Sequence, residues 1–91
     1  MPGGPGFLLD VQSDLLEAMQ TRVVVPLLPL DKAPPPASRL NPVFVLAGAE
    51  HVMVTQNLAA VPLATLGKPV GSLDPALDEI RSALDMVFVG F

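Results

Sequence analysis

His51 is the only histidine in the 91-residue chain, and it stands beside Glu50. An imidazole next to a carboxylate is the pairing that general acid–base chemistry uses. Here the pair falls where two strand-length apolar runs meet at a turn. No nucleophile, base and orienting group occur together in a recognised spacing, so His51 is expected as a surface histidine and the chain is not expected to be an enzyme. Asp10, Asp14 and Glu17 are close in sequence, but their spacing matches no cation loop such as the EF-hand, and no metal is expected. Gly3, Gly4 and Gly6 have the composition of a phosphate-binding loop without the strand before it or the lysine after it, so no cofactor is expected either. Cysteine is absent, which excludes disulfides and thiolate metal sites and suits a reducing cytoplasm.

Nine acidic residues against five basic ones give a formal charge of −4. A protein that grips phosphates needs a clustered basic face, so a protein partner fits better than direct binding of nucleic acid. Apolar residues make up 51% of the chain and charged ones 15%, more apolar surface than a disordered segment carries. One domain of this size has a modest core and gains from a partner, so its length is compatible with a homodimer. Met1 to Gly6 contain no basic residue, unlike a secretory leader. The apolar stretch at 23–30 is broken by Pro26 and Pro29 and falls short of the roughly 20 residues a membrane helix needs. The chain therefore reads as soluble.

These residues must be placed by short strands and one helix. After a Gly/Pro leader at 1–6, Phe7-Leu8-Leu9-Asp10-Val11 has strand length and ends at the turn formers Gln12, Ser13 and Asp14. Residues 21–28 hold Val23, Val24 and Val25 and read as a buried strand, kinked or at a sheet edge because Pro26 has no donor. Pro34, Pro35 and Pro36 make 29–42 a loop. Val43-Phe44-Val45-Leu46 and His51-Val52-Met53-Val54-Thr55 flank Ala47-Gly48-Ala49-Glu50 as a β-hairpin. A further short strand is expected at 60–66, interrupted at Pro62. A helix is expected over about 74–88, with Asp74 as N-cap, Pro75 in the first position, and Asp78 and Glu79 favoured by the macrodipole. Leu73, Leu77, Ile80, Leu84, Val87 and Phe91 form one apolar stripe at helical spacing, with Asp78, Arg81, Ser82 and Asp85 opposite. Strands followed by one terminal helix imply a mainly β domain over 7–91.

Four collinear segments resemble the CcdB family of toxins. Phe7-Leu8-Leu9-Asp10-Val11-Gln12-Ser13-Asp14-Leu15-Leu16 looks like that family's second strand and following turn, with the DVQSD stretch the most specific piece. Arg22-Val23-Val24-Val25-Pro26-Leu27 is similar to the next strand, Ala60-Val61-Pro62-Leu63-Ala64-Thr65-Leu66-Gly67 to the last, and residues 80–91 to the terminal helix ending in Gly plus an apolar residue. The resemblance implies an SH3-like barrel, the CcdB/Kid-type antiparallel sheet, with one C-terminal α-helix, a two-fold homodimer and no catalytic activity. It implies the toxin of a type II toxin-antitoxin system, which poisons DNA gyrase (a topoisomerase II) by binding the gyrase A protein, and which is removed by an antitoxin with a disordered C-terminal tail. The family's gyrase contacts fall on Val89, Gly90 and Phe91, on Asp85, and on Leu15 and Leu16. Three departures stand out. Val89 replaces a tryptophan able to stack on a guanidinium for roughly 0.5–2 kcal/mol. Asp85 replaces an amide. Only Met1 to Gly6 stand where family members have a first strand, so a neighbouring strand is expected to expose an unpaired edge, which invites pairing with another chain or aggregation. The first and third departures leave open a non-toxic homologue that dimerises and binds an antitoxin without poisoning gyrase.

Overall fold

In the computed structural model the described residues are 6–12 and 19–90, so Gly6 alone represents the expected leader. Two continuous apolar runs pair as β1 (Phe7–Asp10) antiparallel with β2 (Thr21–Pro29), in the register Phe7 with Leu27 and Asp10 with Val24. A hairpin follows, made by β3 (Val43–Leu46) and β4 (Ala49–Met53). β5 (Ala59–Pro62) comes next, and α1 (Leu77–Val89) closes the chain. The sheet order is β1-β2-β4-β3, with β5 paired to β2 as well. All pairings are antiparallel, and the result is a curled half-barrel sheet with a single C-terminal helix among the described residues.

β2 is the hinge of this curl. One of its edges meets β1, while the other meets β5 along residues 21–24 and β4 along 27–29. The strand was expected kinked or at a sheet edge because of Pro26, and of these two readings the edge is excluded, since Pro26 lies in a central strand. Its carbonyl accepts from the Val54 N–H at 2.9 Å, just past the end of β4, so the missing donor falls in the gap between the two partners. The ladder with β4, which runs from Leu27 to Pro29, thus stops short of Pro26, where only the carbonyl could take part in a hydrogen-bonded pair.

Val25 and Leu27 of β2, Phe44 of β3, Met53 of β4, and Ile80 and Ala83 of α1 form the buried core, with Phe7, Leu9, Val11 and Leu84 packed at its margin. Two strand faces and one helix stripe thus exclude water from the same volume, at roughly 25 cal/mol per Å² of apolar surface buried. The helical stripe is only partly as expected. Ile80 is buried and Leu84 and Val87 half-buried, but Leu77 is exposed, and Ala83, off the expected stripe, is wholly buried in the core. The small Ala83 lets the helix backbone come near, a role that hydrophobicity alone does not mark.

Other local departures have clear causes. The hairpin turn has two residues rather than four: Ala47 and Gly48 both have positive φ, at 51° and 77°, as a type I′ turn requires. The strand expected at 60–66 ends at Pro62 and becomes a 3₁₀ turn, Leu63–Thr65. Asp74 does not cap α1. Its own N–H donates to Ser72 Oγ at 3.1 Å, and Asp74–Ala76 form a 3₁₀ turn ahead of the helix. The proline-rich segment is a loop with one 3₁₀ turn, Leu30–Lys32, yet its end is firmly packed. Asn41 Nδ2 donates to the Met53 carbonyl at 3.0 Å and to Gln56 Oε1 at 2.8 Å, while its Oδ1 accepts from the Ala37 N–H at 3.1 Å. Thr55 Oγ1 donates to the Leu40 carbonyl, and Arg39 Nε donates to Ser82 Oγ at 2.7 Å, tying the loop to α1.

Candidate partner-binding surface

His51 and Glu50 do not form an acid–base pair. His51 was expected at the surface, but it is only 6% exposed, because alternation along β4 turns it toward the core face while Glu50 points to solvent. Its Nδ1–H donates to the Ala49 carbonyl at 2.9 Å, and its ring meets Phe7 edge-on with centroids 5.2 Å apart. This is a packed aromatic contact.

Asp10, one of the three carboxylates clustered in the sequence, is committed to Arg22. Arg22 Nε donates to Oδ2 at 2.8 Å and Nη2 to Oδ1 at 3.0 Å, a two-pronged geometry that suits the planar guanidinium. Gln12 completes the frame. Its N–H donates to Asp10 Oδ1 at 3.0 Å, its Oε1 accepts from the Val23 N–H at 3.1 Å, and its carbonyl accepts from Arg22 Nη2 at 3.4 Å. Asp10 and Gln12 of the DVQSD stretch are thereby bound to the start of β2. Asp14 and Glu17, and with them Leu15 and Leu16, lie outside the described residues.

The other expected contacts lie at the end of α1. Gly90 adopts φ 76°, and its N–H donates to the Asp85 and Met86 carbonyls at 3.2 and 3.1 Å, closing the helix with a left-handed cap. Asp85, Val89 and Gly90 are all exposed, with Asp85 one turn before Val89, while Phe91 lies outside the described residues. Phe88 is 68% exposed and Val89 58%, with Met86 at the border of the same patch. Phe88 and Met86 are not among the contacts expected from sequence. The available signal was that both are large apolar residues lying off the Leu73-to-Phe91 stripe, and so lack a place in the core. The last turn carries no basic residue. Asp85 and the unpaired end of the helix therefore give the apolar patch a negative rim.

The family model described as CcdB protein matches residues 4–90, which takes in both the half-barrel sheet and α1. The chain belongs to the CcdB family. In this CcdB chain the DVQSD signature has a structural role at Asp10 and Gln12, which join β1 to β2 through Arg22. The CcdB match also runs through the capped end of α1, so the exposed Phe88 and Val89 lie inside the family's domain. Among the described residues no helix is long and apolar enough to cross a membrane.

Proposed function

We propose that this chain is the toxin of a type II toxin-antitoxin pair, a cytoplasmic, non-enzymatic homodimer that binds the A protein of DNA gyrase and traps gyrase on cleaved DNA. An antitoxin with a disordered C-terminal tail is its neutralising partner. The observation that carries the reading, beside CcdB membership, is the last turn of α1: Phe88 and Val89 stand 68% and 58% exposed on a helix that Gly90 terminates, so their apolar area is available to a partner. Residues of this kind, clustered and rimmed by polar groups, are the usual anchors of an interface. The negative rim from Asp85 and the helix end favours a basic groove on the partner. Leu15 and Leu16, following the Asp10–Gln12 frame, and Phe91, following Gly90, extend the contact in this reading.

Val89 supports a second reading. A valine offers no ring face to a guanidinium, so a dimer that binds antitoxin without poisoning gyrase is the alternative. Supercoiling by purified gyrase, scored for linear DNA after denaturation, separates the two. Linear DNA with the native protein supports poisoning. Linear DNA only with Val89→Trp supports a toxin scaffold disarmed at position 89, and its absence with both supports the non-toxic binder.

A further inference from the structure

The hairpin β3–β4 leaves a hydrogen-bonding edge that the described residues do not use. The Met53 N–H donates to the Pro42 carbonyl at 2.9 Å, and the β3–β4 register pairs Phe44 with His51 and Leu46 with Ala49. Antiparallel residues alternate between bonding their partner strand and facing away from it, so Phe44 and Leu46 bond β4 while the N–H and C=O groups of Val43 and Val45 point outward. β3 is an end of the sheet order, and no described residue pairs with its outer side. Natural edges are ordinarily protected by lysine, proline or a covering segment. This one reads Val43-Phe44-Val45-Leu46, with the Val45 side chain 71% exposed. Beside Val43 the edge runs into an open groove of about 350 Å³ between the proline-rich loop and the first half of α1, walled by Pro36, Arg39, Asn41, Glu79 and Ser82.

We propose that this edge and groove form a strand-addition site for an extended peptide segment of another protein, distinct from the last turn of α1. An extended backbone is the chemistry that complements two outward N–H/C=O sets at alternate residues. The peptide runs antiparallel, as every pairing in this sheet does. It therefore passes Val45 first and Val43 second, and its C-terminal part enters the groove. β-Branched residues at its alternate positions stack on Val45. A carboxylate follows them to meet Arg39, the cation of the groove wall, whose Nε is held by Ser82 and whose terminal nitrogens are thereby oriented. The site does not rest on gyrase binding.

The test is to pan the full chain against a phage-displayed library of short random peptides and to map selected synthetic peptides by amide chemical shifts. The proposal expects acidic peptides with alternating β-branched residues, shifts centred on Val43 and Val45, and a tighter fit at low salt that Arg39→Gln removes. Val45→Pro deletes an outward N–H that no described strand uses, so it leaves the fold intact by its amide spectrum and weakens binding at least about ten-fold, or 1.4 kcal/mol. Val45→Thr, which keeps the N–H, binds like the native chain. Selection of no binders, equal binding by Val45→Pro, or shifts confined to 85–90 would overturn the proposal. So would self-association of the native chain that Val45→Pro abolishes, since a second copy would then own the edge.

Discussion

Arg22 of β2 reaches diagonally to the neighbouring strand β1 to grip Asp10 with both Nε and Nη2, at 2.8 and 3.0 Å. Asp10 lies opposite Val24 in the register, so Arg22 is its diagonal neighbour on the same face. The pair is asymmetric: the Arg22 side chain is 8% exposed and that of Asp10 42%. Removing the acid therefore takes the two-pronged carboxylate from a buried cation, whose Nη2 also donates to the Gln12 carbonyl. Asp10→Ala is expected to cost about 2–3 kcal/mol, below the 3–5 kcal/mol of a wholly buried pair because water still reaches Asp10. Asp10→Asn, which keeps one acceptor, costs less. Urea denaturation measures both, and a loss under about 0.5 kcal/mol for Asp10→Ala would show that the other contacts of Arg22 suffice to hold it.

Asn41 is a buried amide that uses both ends. It holds the Met53 carbonyl and Gln56 with Nδ2 and the Ala37 N–H with Oδ1. Asn41→Ala is expected to lower stability by about 2–3 kcal/mol through the groups it leaves unpaired. Asn41→Asp should be at least as costly, because an acceptor-only carboxylate would face the Met53 carbonyl. If Asn41→Asp unfolds at the native denaturant midpoint, the amide is not the pin of the loop.

Ala47 occupies the left-handed region at φ 51° in the hairpin turn. A side-chain-bearing residue there is strained by about 1–2 kcal/mol, and Asn or Gly relieves part of this. Ala47→Asn is expected to raise the thermal midpoint, by about 0.5–1 kcal/mol of added stability. Gly48→Ala should lower it: a Cβ at Gly48 meets nothing within 4 Å, so its φ of 77° alone opposes the change. An unchanged midpoint in both variants would mean that the turn does not limit the hairpin.

Ile80 and Phe88 separate stability from binding on one helix. Ile80 belongs to the core cluster, and Ile80→Ala is expected to cost about 2–4 kcal/mol. Phe88 is exposed, and Phe88→Ala should alter stability by no more than about 0.5–1 kcal/mol while weakening gyrase binding by ten-fold or more. The two measurements are chemical denaturation and binding to the purified gyrase A protein. If Phe88→Ala is destabilised like Ile80→Ala, Phe88 takes part in the protein's own packing and is not left open to a partner.

Elements whose signals are local are legible in the amino-acid order. Val23, Val24 and Val25 specify an extended run wherever it lies, the Ala47-Gly48 neighbourhood is short enough only for a hairpin, and the spacing of Ile80, Leu84 and Val87 marks the inward face of a helix. DVQSD and its three collinear companions are enough to point to the family that the match over residues 4–90 establishes. Which positions meet water depends on long-range packing. Pro26 is tolerated in a central strand because two different strands end on either side of it, a fact of register between distant segments. His51 is buried because β4 turns it toward Phe7, and Arg22 because a carboxylate twelve residues earlier comes to it. Phe88 and Val89 remain exposed because the sheet covers only the Ile80 and Ala83 side of α1. Periodicity states that a helix or strand has two faces, but only the packing of distant segments settles which face is covered and how far along its length the cover extends.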